Sequence, residues 1–307
     1  MNRILVIRGG AIGDFILTLP ALKALRDAFP SARLEILGYK HIAGIAENRF
    51  YGDAIQSIEY ASLSAFFAKG GDLDPGLQAY FRSFDLVISY LFDPDEIFVQ
   101  NLRRAGVRKI VCGPARINDN SHAARQLAAP LEEIGIKVID YVPRIFPSEN
   151  DISFAREFLR DLGKPTTALH IGSGSVRKNW PIANWLELGD AFLQRDGSLI
   201  VVSGEADEQQ LSKARSHWAQ PKVRFATNLP LPNLAAVLAE CRFIGHDSGI
   251  SHLAAAVGAK SVLLFGPTNP DVWGPPGPKV TILRSPESDM RSLAPTAVLD
   301  AITSVMN

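Results

Sequence analysis

Ile4-Leu5-Val6-Ile7-Arg8-Gly9-Gly10-Ala11-Ile12-Gly13-Asp14 stands near the start of the chain. Its first four residues are apolar and rich in β-branching, the composition of a strand buried on both faces. Gly9, Gly10 and Gly13 then mark a tight turn. From Phe15 onward Ile16, Leu19, Leu22 and Leu25 recur at helical spacing until Pro30 ends the run. A strand that feeds a helix through a glycine turn is the opening of a parallel α/β unit.

The alternation continues outward from this stretch. Strands are predicted over 34–37, 56–60, 85–89 and 109–112, with helices over 15–29, 41–47 and 95–104 and helical pieces up to 81. Residues 141–150, which hold Pro143 and Pro147, read as a linker. The pattern then restarts with a helix over 151–162, a strand over 167–171 and a second glycine turn, Gly172-Ser173-Gly174. A helix from Pro181 to Arg195 follows, then strands over 199–203, 223–226, 243–245, 261–265 and 279–283. Helices over 207–218, 234–241, 248–257 and 294–306 separate or close them. Two βα series of similar size imply two parallel sheets with both faces covered. Ligands of such sheets bind beyond the carboxyl ends of the strands, so two sheets facing one another place a site in the cleft between them.

Composition agrees with a globular chain. Of 307 residues, 47% are hydrophobic and 21% charged, which excludes a disordered or fibrous polypeptide. Lys plus Arg number 32 and so do Asp plus Glu, so the chain lacks the basic excess of a general nucleic-acid binder. Cys112 and Cys241 lie far apart with no metal-ligand spacing and read as two buried thiols of a reducing cytoplasm. No apolar run is long enough to span a bilayer.

The residues with chemical character gather at strand ends. Arg8 to Asp14 is not the G-x-G-x-x-G fingerprint, and the second strand ends Leu37-Gly38-Tyr39 without an acid, so a dinucleotide site is disfavoured. Asp14 reads as a carboxylate complementing a helix N-terminus, and a carboxylate at a strand end is also a candidate general base. In His170-Ile171-Gly172-Ser173-Gly174-Ser175-Val176-Arg177-Lys178-Asn179-Trp180-Pro181, small residues bare the backbone N–H groups and two cations add charge, a combination suited to phosphate. Gly204-Glu205 follows a strand where a carboxylate could accept both hydrogen bonds of a ribose diol. Gly245-His246-Asp247-Ser248-Gly249-Ile250-Ser251-His252 carries a strand straight into a helix. There Asp247 or Ser248 is a cap, the first-turn N–H groups form an anion site, and His252 shares a helix face with Ser248. The loop Phe265-Gly266-Pro267-Thr268-Asn269-Pro270 could wall a cleft or be a structural turn.

Taken together and in this order, the opening stretch, Arg177-Lys178-Asn179-Trp180-Pro181, Gly204-Glu205, His246 to Ala256, and the Leu264 to Pro270 loop with Trp273-Gly274-Pro275 resemble glycosyltransferase family 9, the heptosyltransferases of lipopolysaccharide core synthesis. The resemblance implies an α/β GT-B fold of two Rossmann-like domains facing across a cleft. Its implied parts are an acceptor-binding domain over 1–147, a nucleotide-sugar domain over 148–285, and a C-terminal helix over 286–307 that packs back on the first domain. It implies inverting transfer of heptose from ADP-heptose or a similar nucleotide sugar to a lipopolysaccharide-core-like glycan or glycolipid, with no metal or other cofactor. Asp14 then matches the general base. Lys178 matches the contact to donor phosphates, Glu205 the acid on the ribose and Asp247 the acid at the donor sugar. Ser248, Gly249 and His252 match the helix start under the diphosphate. Arg8 and Arg177 are candidates for a phosphate contact on donor or acceptor. The basic cluster Arg103, Arg104, Arg108, Lys109 and Arg116 is a candidate acceptor contact or a solvated face. No nucleic-acid partner is implied. The enzyme is expected in the cytoplasm, at the inner membrane face where a lipid-linked acceptor draws it. The alternatives are a sugar-nucleotide epimerase of the same architecture and a non-catalytic sugar-nucleotide binder.

Overall fold

A computed structural model describes residues 1–195, 197–204 and 208–306. The chain divides into two units, Met1–Tyr141 and Val142–Asn307. The division falls inside the stretch read as a linker, but before rather than after residues 142–147. Ile145 is buried, and its N–H donates to the Ala256 carbonyl (2.9 Å), which ties this segment to the second unit.

The first unit runs β1 Arg3–Arg8, α1 Ile12–Ala28, β2 Arg33–Gly38, α2 Lys40–Ala43 and β3 Ala54–Ser57. It continues with α3 Pro75–Arg82, β4 Leu86–Ser89, α4 Ile97–Arg104, β5 Ile110–Cys112 and α5 Ala123–Ala128. Its five strands are parallel in the order β3-β2-β1-β4-β5. Ile4 to Ile7 are all buried, as expected of a strand covered on both sides. One core packs Leu5, Ile7, Phe66, Phe81 and Phe98.

The second unit runs α6 Glu149–Leu159, β6 Thr166–His170, α7 Ile182–Leu193, β7 Ser198–Ser203, α8 Glu208–His217 and β8 Val223–Thr227. It continues with α9 Leu231–Ala239, β9 Arg242–His246, α10 Gly249–Ala256, β10 Lys260–Phe265, α11 Pro270–Trp273, β11 Val280–Arg284 and α12 Pro295–Met306. Its six parallel strands lie in the order β11-β10-β9-β6-β7-β8. Counted from β6, this is the 3-2-1-4-5-6 order of a dinucleotide-type sheet. Its core is built on Trp180, Trp185 and Trp218. Gly189 lets α7 lie against Trp218, because a Cβ there would enter the indole.

Within the second unit, α12 packs against α7, β10 and β11, with Val298 and Ile302 buried in the tryptophan core. Two expectations are corrected. The third strand begins at Ala54, not Gln56, because Ala54 pairs with Glu35 and the Asp53 carboxylate accepts the Leu34 N–H (2.7 Å) just ahead of it. Cys112 is exposed at the end of β5; only Cys241 is buried.

Candidate functional site

Each sheet has one point where successive crossovers leave in opposite directions, between β1 and β4 in the first unit and between β6 and β9 in the second. Crevices outside the carboxyl ends at such points bind ligands in open α/β sheets. The chemical residues of both units stand there.

In the first unit, β1 delivers Arg8 and the turn brings the chain into α1. Gly10 has φ +97°, which a side chain disfavours, and a Cβ there would sit 3.1 Å from Asp14 Oδ2. Asp14 lies in the first turn of α1, where its Oδ2 accepts the Ala11 N–H (3.1 Å). Its Oδ1 faces an Arg8 guanidinium nitrogen at 3.7 Å, and the side chain is 30% exposed. One carboxylate oxygen is therefore anchored at the helix end, and the carboxylate still meets solvent.

Arg8, a candidate phosphate contact, is held by partners of its own unit. It is buried, its Nε donates to Thr18 Oγ1 (3.1 Å), and its guanidinium lies 5.7 Å from the Tyr90 ring centre. Thr18 in turn donates to the Asp14 carbonyl (2.8 Å), and Tyr90 Oη to the Leu127 carbonyl (2.8 Å). Burial pulls the Arg8 pKa down, while Asp14 and Tyr90 pull it up. Burial likewise raises the Tyr90 pKa. Arg8 is thus a strut that fixes Asp14.

The second unit brings together most of the residues expected to hold the donor. Lys178 Nζ and Asp247 Oδ2 form an ion pair at 2.5 Å, with Asp247 8% exposed and Lys178 31%. Ser248 is the N-cap of α10, its Oγ accepting the Ser251 N–H (3.4 Å). Gly249 and Ile250 open this helix, and first-turn N–H groups of a helix have no partner within it. Ser248 therefore serves the site as a cap, since its hydroxyl also meets His170 Nδ1 (3.1 Å). His252 is buried one turn further on. Glu205, the expected ribose acid, lies outside the described residues.

Arg177 and Lys178 are not one cationic clamp. Lys178 turns to Asp247, whereas Arg177 is exposed and lines a separate cavity. Trp180 belongs to the core: it is 1% exposed, its Nε1 donates to the Leu293 carbonyl (2.8 Å), and its ring packs edge-on against Trp185. The basic cluster of the first unit is split as well. Arg108 and Lys109 precede β5, while Arg116 follows it with its guanidinium 4.0 Å from the Phe92 ring centre. Arg104 is tied to Asn101 Oδ1 (2.7 Å). The 265–270 loop leads into α11, whose first turn Asn269 caps through the Asp271 N–H (3.1 Å), and its Pro267 lines the same cavity as Arg177.

Two histidines support the site without having been singled out for it. His246 Nε2 accepts the Trp180 N–H (2.8 Å), which leaves Nδ1–H to donate to the Gly172 carbonyl (3.2 Å). One ring therefore joins β9 to the glycine turn and to the loop carrying Lys178. His170 ends β6 and meets the cap of α10; burial drops its pKa to about 4. In the sequence each is only a titratable residue closing an otherwise apolar strand. Among the described residues, no group of three or more His, Cys, Asp and Glu side chains is arranged to hold a metal.

Comparison with known proteins gives this arrangement its context. The profile of glycosyltransferase family 9 (heptosyltransferase) matches residues 111–302. Lipopolysaccharide heptosyltransferase 1 of Escherichia coli (strain K12) is 26% identical, the alignment covering 99% of this chain and all of the relative. A solved family 9 glycosyltransferase from Veillonella parvula DSM 2008 superposes with a TM-score of 0.83 at 20% identity, over 99% of this chain and 97% of that one. E. coli heptosyltransferase WaaC, solved with ADP, gives 0.74 at 19% identity, over 98% and 99%. The fold is GT-B, and the profile covers most of the chain; the protein belongs to glycosyltransferase family 9.

Proposed function

We propose that this enzyme moves a heptose, or a closely related sugar, from an ADP-activated donor to a lipopolysaccharide-core-type acceptor, with inversion and without a metal ion. The observation that carries this reading is the Lys178–Asp247 pair beside the capped start of α10, at the switch point of a dinucleotide-type sheet. A leaving diphosphate gathers charge on its oxygens. Lys178 and the first N–H groups of α10 are preorganised donors for that charge. Asp247, held by Lys178, is available to a sugar hydroxyl, and Glu205 is assigned to the ribose.

Asp14 is assigned as the base. Its carboxylate takes the proton of the acceptor hydroxyl, whose oxygen forms the new bond to the anomeric carbon. The bond from that carbon to the diphosphate oxygen breaks with its electron pair, and ADP departs. One displacement inverts the centre. A lipid-linked acceptor places the reaction at the inner face of the cytoplasmic membrane; among the described residues, no helix is long and apolar enough to cross it.

The test is purified enzyme with ADP-heptose, with and without a heptose-free lipopolysaccharide core acceptor, in EDTA. ADP release that requires acceptor and survives EDTA is expected. Isomerisation of the donor without acceptor identifies an epimerase, and binding with no turnover identifies a binding protein.

A further inference from the structure

Arg177 is the cation that the donor site does not use. It lines a cavity of about 590 Å³ in the second unit, whose lining includes Val176, Asn179 and Trp180 but neither Lys178 nor Asp247, Ser248, Gly249 or His252. The volume lies in the range of small-molecule sites. Lys213 and Arg291 line it too. Among the described residues Asp289 is the lining carboxylate, and Arg291 grips it through both Nε and Nη2 (2.7 Å at the shorter contact), so that pair is nearly neutral. Arg177 and Lys213 have no acidic partner among the described residues. Two positive charges therefore face one cavity without an acidic partner among the described residues. The side-chain amides of Gln209 and Gln210 add hydrogen-bonding capacity, and Trp180 and Met290 form an apolar floor.

We infer that this cavity is a second ligand site, distinct from the donor diphosphate site, that takes a sugar bearing a phosphate or carboxylate. The cations supply charge-assisted hydrogen bonds to the anionic group. The amides suit hydroxyls, and the floor suits the apolar face of a pyranose ring. An uncharged sugar leaves both cations unanswered and binds at least about tenfold more weakly, the ordinary consequence of losing a hydrogen bond to a charged group. The inference stands on the cavity alone and does not require the transferase reading.

The experiment is ligand-observed NMR titration of the full chain at low salt with glucose 6-phosphate, glucuronate and glucose, each with and without saturating ADP. Saturable binding of glucose 6-phosphate or glucuronate, unaffected by ADP, is expected; the two arms tell which anion the site prefers. Glucose should bind at least about tenfold more weakly. The doubly substituted Arg177→Ala, Lys213→Ala protein should lose about tenfold or more in affinity, while Lys178→Ala leaves it unchanged. Both altered positions are exposed, so the fold survives the change. Displacement by ADP, unaltered affinity in the double variant, equal binding of glucose, or no binding of either anion overturns the site. Failure of ADP itself to bind counts against the donor assignment and leaves the cavity result standing.

Discussion

Asp14 sits under two constraints, the Ala11 N–H on one oxygen and Arg8 on the other. Replacing it with Asn keeps an oxygen for the Ala11 N–H but removes the proton acceptor. Turnover should fall about 10²–10⁴-fold, the usual worth of a positioned general base, with donor affinity nearly intact. Wild-type turnover in Asp14→Asn with a verified acceptor would falsify the assignment. His170 gives a second residue-level prediction. Burial holds its folded pKa down at about 4, against 6.5 for a free imidazole. Above pH 6.5 neither the folded nor the unfolded state binds the proton, so the group is neutral to stability. Between 6.5 and 4 only the unfolded chain binds it, so stability drops as pH falls. Urea denaturation at pH 7.5 and pH 5.0 should show the wild type losing about 2 kcal/mol more than His170→Gln. Equal losses would show that His170 titrates normally in the fold. Neither His170 nor His246 could be assigned from the sequence, because a histidine ending an apolar strand becomes informative only when the partner strand is known. Ser248 was legible, since a serine between a strand and an apolar helix has few other uses than a cap.

Elements were more legible than residues. Strands buried on both faces read as continuous apolar runs, which is why β1, β6, β7 and β10 stand close to where the sequence puts them. Edges were harder. α4 begins at Ile97 rather than 95, because Asp93 accepts the Phe98 and Val99 N–H groups (3.1 and 2.9 Å) and Glu96 sits at φ +54° ahead of it. That pattern is an N-terminal hydrogen bond from outside the helix, and spacing alone does not reveal it. α5 was not foreseen at all, since Ala123 to Ala128 offers too few turns for a periodicity. α10 carries the element-scale prediction. Ser248→Ala removes the acceptor for the Ser251 N–H and should cost about 1 kcal/mol in denaturant-derived stability, with Ser248→Thr restoring most of it. ADP affinity should change little in Ser248→Thr, because the proposed donors are backbone N–H groups. A large loss of ADP binding in Ser248→Thr would instead make the side chain itself a ligand contact.

At the scale of the whole molecule, the chain holds two parallel sheets with separate cores, one centred on phenylalanines and one on tryptophans. α12 adds Val298 and Ile302 to the second, so the end of the chain strengthens the unit assigned to the nucleotide sugar. Separate cores make separate cooperative units, and a ligand stabilises the unit that holds its contacts. ADP at about 100 times its Kd should therefore raise the stability of the second unit by about 2.7 kcal/mol. In native-state hydrogen exchange, the slowest amides of β9 and β10 should then slow by about 100-fold, the same free energy expressed as a rate. The amides of Ile4 to Ile7, in the centre of the first sheet, should keep their rates. If they slow equally, the two sheets open as one body, and the nucleotide's effect is not confined to the unit built around Lys178 and Asp247.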